Sequence, residues 1–191
     1  MLTPSIVWGI LSLLAIAGWA AYALHVIDTI PIPHATRPHG VSNLIIREFD
    51  QPSNEDLCWP VPCDAPLFAY TSVFMRHLGR SYQSAMRAQV LLFTLLALVL
   101  SLTSAHLGGT EAGFWAALLS GSTPLVILMT VGFDDHLFNS LCVAAGAALI
   151  IVSKGLTRVA LAPAIGLCFG VATRYAFYRF ISHLRGKRLG S

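Results

Sequence analysis

Two adjacent carboxylates, Asp134 and Asp135, lie between two long apolar runs of the sequence, Ala112–Phe133 and Leu137–Ser153. A carboxylate acts as a general base when it lies within hydrogen-bond reach of an attacking hydroxyl group. An acid at a helix N-terminus also accepts hydrogen bonds from unpaired N–H groups and interacts favourably with the helix dipole. These two interpretations are compatible, so Asp134 and Asp135 are candidate catalytic residues that also suit the start of a helix.

Two arginines flank or interrupt other apolar runs. Arg87 directly precedes the run Ala88–Ala105, and Arg174 lies inside the run Val159–Ile181. A guanidinium group matches the geometry of a phosphate group, which makes both arginines candidates for phosphate binding. The alternative is that Arg87 extends towards lipid headgroups and that Arg174 anchors its helix at the membrane interface.

The composition is that of an integral membrane protein. Hydrophobic residues make up 55% of the 191 residues and charged residues 11%, whereas charged residues form about 25% of an ordinary soluble domain. The mean hydropathy is +0.69. The net charge of +3 is modest, and no basic patch interleaved with aromatic residues indicates nucleic acid. Membrane lipids are the expected partners of the arginines.

Five apolar runs approach the length of roughly 17–25 residues that spans a bilayer. They are Ser5–Ile27, Ala88–Ala105, Ala112–Phe133, Leu137–Ser153 and Val159–Ile181. We expect helices, because a backbone in lipid must satisfy its own hydrogen bonds. The fold class is therefore all-α, a polytopic membrane bundle with four or five spans, since Arg174 and Arg179 interrupt the last run.

The predicted organisation is a single membrane domain. Residues 1–27 form a retained first span, 28–83 an outer loop, 84–181 the remaining spans and 182–191 a basic tail. Pro163 is expected to kink or break its helix. Gly113, Ala117 and Gly121 recur every four residues, a spacing that favours close packing between helices.

The long first loop is acidic and rich in proline. Cys58 and Cys63 flank its Trp-Pro-Val-Pro stretch, and they can form a disulfide if the loop faces an oxidising compartment. Near the end of the loop, residues 66–79 have the spacing of a helix in the membrane interface. Gly79 suits its C-cap, and Ser81 or Ser84 suits the N-cap of the next helix. The acids of the loop are Asp28, Glu48, Asp50, Glu55, Asp56 and Asp64.

Basic residues predict the orientation in the membrane. Lys154 and Arg158 mark the connection between two runs as cytoplasmic. This places the N-terminus in the cytoplasm, and it places Asp134, Asp135 and the first loop on the periplasmic, extracellular or lumenal side. A complete fifth span would put the basic tail on that outer side, against the usual bias.

The order of these features resembles the N-terminal part of the GT-C glycosyltransferases, such as the dolichyl-phosphate-mannose protein mannosyltransferases and the bacterial aminoarabinose transferases. The resemblance covers nearly all of this chain and about the first third of a usual family member. Its motifs occur in the family's order. They are Ala65-Pro66-Leu67-Phe68, Gly79 through Arg87, Pro124-Leu125, Asp134-Asp135, and Gly166-Leu167 through Thr173-Arg174-Tyr175.

The resemblance implies transfer of a sugar from a polyprenyl-phosphate donor at the outer membrane face. It assigns the role of base to a first-loop acid, for which Asp50 and Asp56 are the candidates. Asp134 and Asp135 would position the reacting groups or, as in some members, a divalent metal. The resemblance also assigns substrate binding to three residues. They are Arg87, Arg174 and Tyr175.

Two departures from the family pattern favour a second hypothesis. Pro38 and His39 stand where the family has an Asp-Glu pair, and the later helices of the family are absent from this sequence. The chain would then be a non-catalytic structural or assembly subunit, with other membrane subunits supplying the missing helices. A third hypothesis is a lipid-binding or lipid-flipping protein, which needs the arginines but no base.

Overall fold

The chain folds as a bundle of α-helices. The computed structural model describes residues 3–29, 65–79, 81–122 and 135–188, with side chains described except at 65–69, 72, 82, 135 and 172–188. The described residues form six helices and no strand. They are α1 (Pro4–Thr29), α2 (Ala65–Leu78), α3 (Tyr82–Gly108), α4 (Thr110–Ser122), α5 (Asp135–Val152) and α6 (Gly155–Arg188).

Helix α3 is the centre of the bundle, because α1, α2, α4 and α5 all pack against it. Its buried apolar side chains include Met86, Val90, Leu92, Phe93 and Ala97, which meet Ile16, Ala23 and Ile27 of α1 and Leu137 of α5 in one core. Helix α4 also packs against α1, whereas the main partner of α6 is α5.

The junction between α2 and α3 follows the local sequence. Gly79 ends α2 with a φ of 98°, a conformation that glycine adopts without strain, and its N–H donates to the carbonyl of Met75 at 3.1 Å. Ser81 is the N-cap of α3, and its Oγ accepts from the N–H of Ser84 at 3.1 Å. The predicted helix over 66–79 and the Ser81 cap are therefore confirmed.

Two other connections are short and contain glycine. Gly109 joins α3 to α4 with a φ of 87°, and Gly155 follows the Ser153–Lys154 connection with a φ of 53°. Each pair therefore forms an antiparallel hairpin. Helix α6 continues through Pro163 as far as Arg188, so of the predicted kink or break the break is excluded, and residues 182–188 of the predicted basic tail are helical.

Two described helices are long and apolar enough to cross a membrane, Pro4–Thr29 and Gln83–Gly108. Shorter apolar helical segments cover His136–Val152 and Gly155–Val171. At 1.5 Å per residue, α1 is about 39 Å long, which exceeds the hydrocarbon thickness of roughly 30 Å.

The small residues of α4 lie in close contact with two other helices. Gly113, Ala117 and Gly121 are all buried. A Cβ atom on Gly113 would lie 2.8 Å from Cβ of Ala105, and one on Gly121 would lie 2.2 Å from Cγ of Trp19. The prediction that this spacing marks close helix packing is confirmed.

Candidate functional site

Parts of four helices, α1, α2, α3 and α5, lie near Arg87. Tyr70 of α2 donates a hydrogen bond from its hydroxyl to the carbonyl of Ala88, at 2.8 Å. The ring centroid of Tyr70 also lies 6.4 Å from that of Phe138, in the first turn of α5. The start of α5, the middle of α2 and the first turns of α3 therefore lie at the same end of the bundle.

Burial raises the pKa of the Tyr70 phenol above its ordinary value, because the charged phenolate would lose its hydration. The hydroxyl group consequently stays protonated and remains a donor to Ala88. Tyr70 also packs on Phe74 within α2, at a centroid distance of 5.0 Å. This cluster attaches α2 to α3 one residue beyond Arg87, and it fixes the helix on which Arg87 lies.

Arg87 pairs with the last turn of α1. Its Nη2 donates to Oδ1 of Asp28 at 2.9 Å, and the two side chains are 40% and 48% exposed. Asp28 is the second-last residue of α1, and that turn contains no basic residue. Since the negative end of the helix dipole disfavours a carboxylate there, Arg87 supplies the positive charge that α1 itself lacks.

The ion pair between Asp28 and Arg87 was not predicted from the sequence. The two residues are 59 positions apart, and the interpretation of Arg87 considered only lipid and substrate phosphate. The available signal was that each residue directly adjoins an apolar run, at the end of the first and at the start of the second. Two residues at one membrane level can meet only if their helices pack together, which the sequence does not show.

The structure describes only some of the other predicted site residues. Helix α5 begins at Asp135, as the interpretation of this acid as a helix-terminal residue requires, and Asp135 is therefore at the same end as Arg87. The remaining acids and the cysteine pair lie outside the described residues. They are Asp134, Asp50, Asp56, Cys58 and Cys63.

Arg174 and Tyr175 lie on α6, deeper in the bundle than the start of α5. Gly146 of α5 packs against Cys168 and Phe169 of α6, which fixes the relative level of the two antiparallel helices. Arg174 follows this contact by five or six residues of α6, whereas Asp135 precedes it by eleven residues of α5. Helix α6 therefore carries Arg174 and Tyr175 towards the end of the bundle that holds Arg87.

The opposite end of the bundle holds the basic connection between α5 and α6. Arg158 donates through Nη2 to the carbonyls of Ile150 and Ser153, at 2.9 Å and 3.0 Å, and it thereby satisfies carbonyls at the C-terminus of α5. Lys154 is exposed beside it. The basic side chains that predicted a cytoplasmic connection thus lie far from Asp28 and Arg87.

Among the residues that the structure describes, no group of three or more His, Cys, Asp and Glu side chains is placed to bind a metal ion. The groups described above at this end include the Asp28 carboxylate, the Arg87 guanidinium group and the Tyr70 phenol. Of these, the guanidinium group of Arg87 suits recognition of an anion.

Comparison with known proteins adds no family to this description: no family model, no curated protein and no solved structure matches the chain.

Proposed function

We propose that the chain is a membrane-embedded module of the GT-C glycosyltransferase type, which binds a polyprenyl-phosphate-linked sugar where Arg87 and Asp28 meet. One observation carries the proposal. The half-exposed guanidinium group of Arg87 lies at the end of the bundle where the last turn of α1, the helix α2 and the start of α5 converge. Motifs that resemble the family lie on α2, at the start of α3 and at the start of α5, whereas α1 carries none.

The exposed apolar surface supports a membrane location. Helix α1 buries only Ser12, Ile16, Ala23 and Ile27, while leucine and isoleucine side chains elsewhere on it are exposed, with Leu14 at 62%. A protein in water rarely exposes a contiguous apolar patch larger than a few hundred Å². Lipid around α1 removes this cost, and the exposed side chains of α3 and α4 extend the same surface.

The distribution of charge supports the predicted orientation. The last turn of α1 lies at the Arg87 end, so the first turn of α1 lies at the other end, together with Lys154 and Arg158. Basic residues accumulate on the cytoplasmic side of membrane proteins. We therefore place the N-terminus in the cytoplasm and the Arg87 end on the periplasmic, extracellular or lumenal side.

Each residue has a defined role in the proposed chemistry. Arg87 binds the donor phosphate and stabilises the charge that develops on it as the bond to the sugar breaks. The family resemblance assigns orientation of the reacting groups to Asp134 and Asp135. Asp50 or Asp56 accepts the proton of the acceptor hydroxyl as the new glycosidic bond forms. The resemblance also assigns donor binding to Arg174 and Tyr175 of α6.

A transfer assay tests the proposal. Proteoliposomes that contain the full chain and radiolabelled polyprenyl-phosphate mannose are incubated with a membrane extract as the source of acceptors. We expect radiolabel to leave the lipid fraction with wild type, and we expect Arg87→Gln and the double variant Asp134→Asn with Asp135→Asn to reduce turnover at least tenfold. Lys154→Gln, which removes a charge at the opposite end, is the matched control.

Turnover that is unchanged in both variants would contradict the roles given to these side chains. Turnover that falls equally in Lys154→Gln would show a general effect of charge on the protein or its membrane insertion. A parallel measurement of thermal unfolding in detergent separates loss of folding from loss of chemistry.

The surface of α6 favours a second candidate function, a non-catalytic subunit of a larger membrane complex. Its apolar side chains are strongly exposed, with Leu156 at 88%, Val159 at 70% and Leu167 at 69%, and its main packing partner within the chain is α5. Stable co-purification of another membrane chain in mild detergent, without any sugar transfer, would support this function over the first.

A further inference from the structure

The ion pair between Arg87 and Asp28 uses little of the binding capacity of either group. A single bond joins Nη2 of Arg87 to Oδ1 of Asp28. A guanidinium group carries five N–H donors, and it can bind a carboxylate or a phosphate through two parallel bonds. The single bond between Arg87 and Asp28 is therefore weaker than the pair of parallel bonds that an arginine can form with a carboxylate or a phosphate.

Exposure weakens the pair further. With 40% of the Arg87 side chain and 48% of the Asp28 side chain in contact with solvent, water screens the attraction between the two charges. A phosphate group that binds Arg87 through two charge-assisted bonds makes a stronger interaction than this single exposed one. Phosphate can therefore replace Asp28 as the partner of Arg87.

Displacement of Asp28 from Arg87 by a phosphate group costs free energy, because of the place of Asp28 in the fold. Asp28 lies in the last turn of α1, where the helix dipole disfavours a negative charge, and that turn contains no basic residue. When Arg87 turns to a phosphate, the Asp28 carboxylate loses its compensating charge and also faces a second anion nearby. Both effects oppose binding, so the wild-type site binds phosphate less tightly than Arg87 alone would allow.

We propose that Asp28 regulates the phosphate site as a built-in competing carboxylate, which occupies Arg87 until a phosphate group displaces it. This inference rests on the proposed function, because it takes Arg87 as the group that binds phosphate. Asp28 is a positioning residue in this scheme. It keeps the guanidinium group in place in the empty site and limits its occupancy by weakly binding anions.

Binding measurements on the full chain test the competition directly. The protein is reconstituted into phosphatidylcholine nanodiscs, and polyprenyl phosphate is titrated into them, with the uncharged polyprenol as the reference lipid. Native mass spectrometry gives the fraction of protein that carries the lipid. We expect Asp28→Asn to bind polyprenyl phosphate about two- to fivefold more tightly than wild type, because the free energy of an exposed ion pair corresponds to a change in affinity of this size.

Three further variants separate the competition from other effects. Asp28→Glu keeps a carboxylate and should bind as wild type does. Glu111→Gln removes one negative charge from the first turn of α4, at the far end of α3, and should also leave binding unchanged. Arg87→Gln should lose the preference for polyprenyl phosphate over polyprenol. A merely structural role of Asp28 would lower stability, but it would not increase affinity.

Two results would overturn the inference while leaving the proposed function intact. One is that Asp28→Asn binds polyprenyl phosphate as tightly as wild type does, or less tightly. The other is that Glu111→Gln gains as much affinity for polyprenyl phosphate as Asp28→Asn does. Two other results would contradict the proposed function itself and the inference with it. One is that wild-type protein binds polyprenyl phosphate and polyprenol equally well, and the other is that Arg87→Gln binds polyprenyl phosphate as wild type does.

A second arm of the experiment identifies the source of the phosphate. Inorganic phosphate is titrated in the buffer, with bound polyprenyl phosphate displaced as the readout. A gain in affinity for both ligands on Asp28→Asn supports competition for phosphate as a chemical group. A gain for inorganic phosphate alone contradicts the inference, because Asp28 would then compete with free phosphate and not with a lipid phosphate.

Discussion

The hairpins α3–α4 and α5–α6 are built from similar sequences and packed in different ways. Both join two apolar helices through a short connection, with a glycine of positive φ in the connection or directly after it. In α3–α4, the small residues of α4 are covered by α3 on one side and α1 on the other. In α5–α6, Cys168 and Phe169 of α6 pack against Gly146 of α5, while most of the described side chains of α6, residues 155–171, are exposed.

This difference shows that the effect of a small residue in a helix depends on whether another helix packs against it. Gly113 and Gly166 both lie inside apolar helices, and both have a small residue four positions away. A Cβ atom on Gly113 would collide with α3, whereas one on Gly166 would have nothing within 4 Å among the described atoms. Substitutions at glycines therefore measure how closely each hairpin is packed.

Gly121→Ala should have the largest effect. The new Cβ atom would lie 2.2–2.5 Å from three ring atoms of Trp19, whose indole N–H donates to the carbonyl of Leu118 at 3.0 Å. Because the ring is held by this bond, it cannot move away without breaking it. We expect a loss of about 2–3 kcal/mol in the free energy of unfolding, measured by denaturant-induced unfolding in detergent micelles.

The partner of Gly121 provides the control for this prediction. Trp19→Ala removes the ring, so adding Gly121→Ala to it should cost much less than Gly121→Ala costs in wild type. Additive losses in the double-mutant cycle would show that the two residues do not act through their contact.

Gly113→Ala should have the second largest effect. Its Cβ atom would lie 2.8 Å from Cβ of Ala105 and 2.9 Å from the backbone oxygen of Ser101, and neither atom belongs to a flexible side chain. The separation of the helices would also stretch the buried bond from Ser101 Oγ to the Gly113 carbonyl, now 2.9 Å. We expect a loss of about 1–2 kcal/mol by the same measurement.

Gly166→Ala is the matched control for Gly113→Ala, since it makes the same chemical change on a helix whose neighbouring space is open. It should leave stability unchanged or raise it by up to about 1 kcal/mol, because alanine favours a helix over glycine. A similar loss in both variants would contradict the difference between the two hairpins.

Gly146→Ala should have the smallest loss of the three. Its Cβ atom would lie 2.9 Å from Cε2 of Phe169, near the far end of the ring, and 3.2 Å from Cβ of Cys168. The ring can shift, and α6 can move outwards because α5 is its main contact. We expect a change below about 1 kcal/mol in the unfolding experiment, and a loss as large as that of Gly121→Ala would show that α6 is held as firmly as α4.

Much of the helical framework follows from local sequence. The Ser81 cap, the turn at Gly79 and the small residues of α4 each have a local physical cause and agree with the structure, and the runs Ser5–Ile27 and Ala88–Ala105 lie within the two described helices that are long and apolar enough to cross a membrane. At Pro163 the sequence predicted a kink or a break, and the continuous helix α6 excludes the break. The candidate site was predictable only as a set of residue types, since Arg87 was identified but its partner was not.

The sequence by itself determined that the chain forms apolar helices, where most of them begin and end, and which residues carry charge. These properties depend on side-chain polarity, helix caps and glycine conformation, all of which act within a few residues. The tertiary structure decided which helices touch. It brought Asp28 to Arg87 and Trp19 to Gly121, and it covered α4 while leaving much of α6 exposed. Such contacts depend on packing between segments far apart in the chain, and no local pattern specifies them.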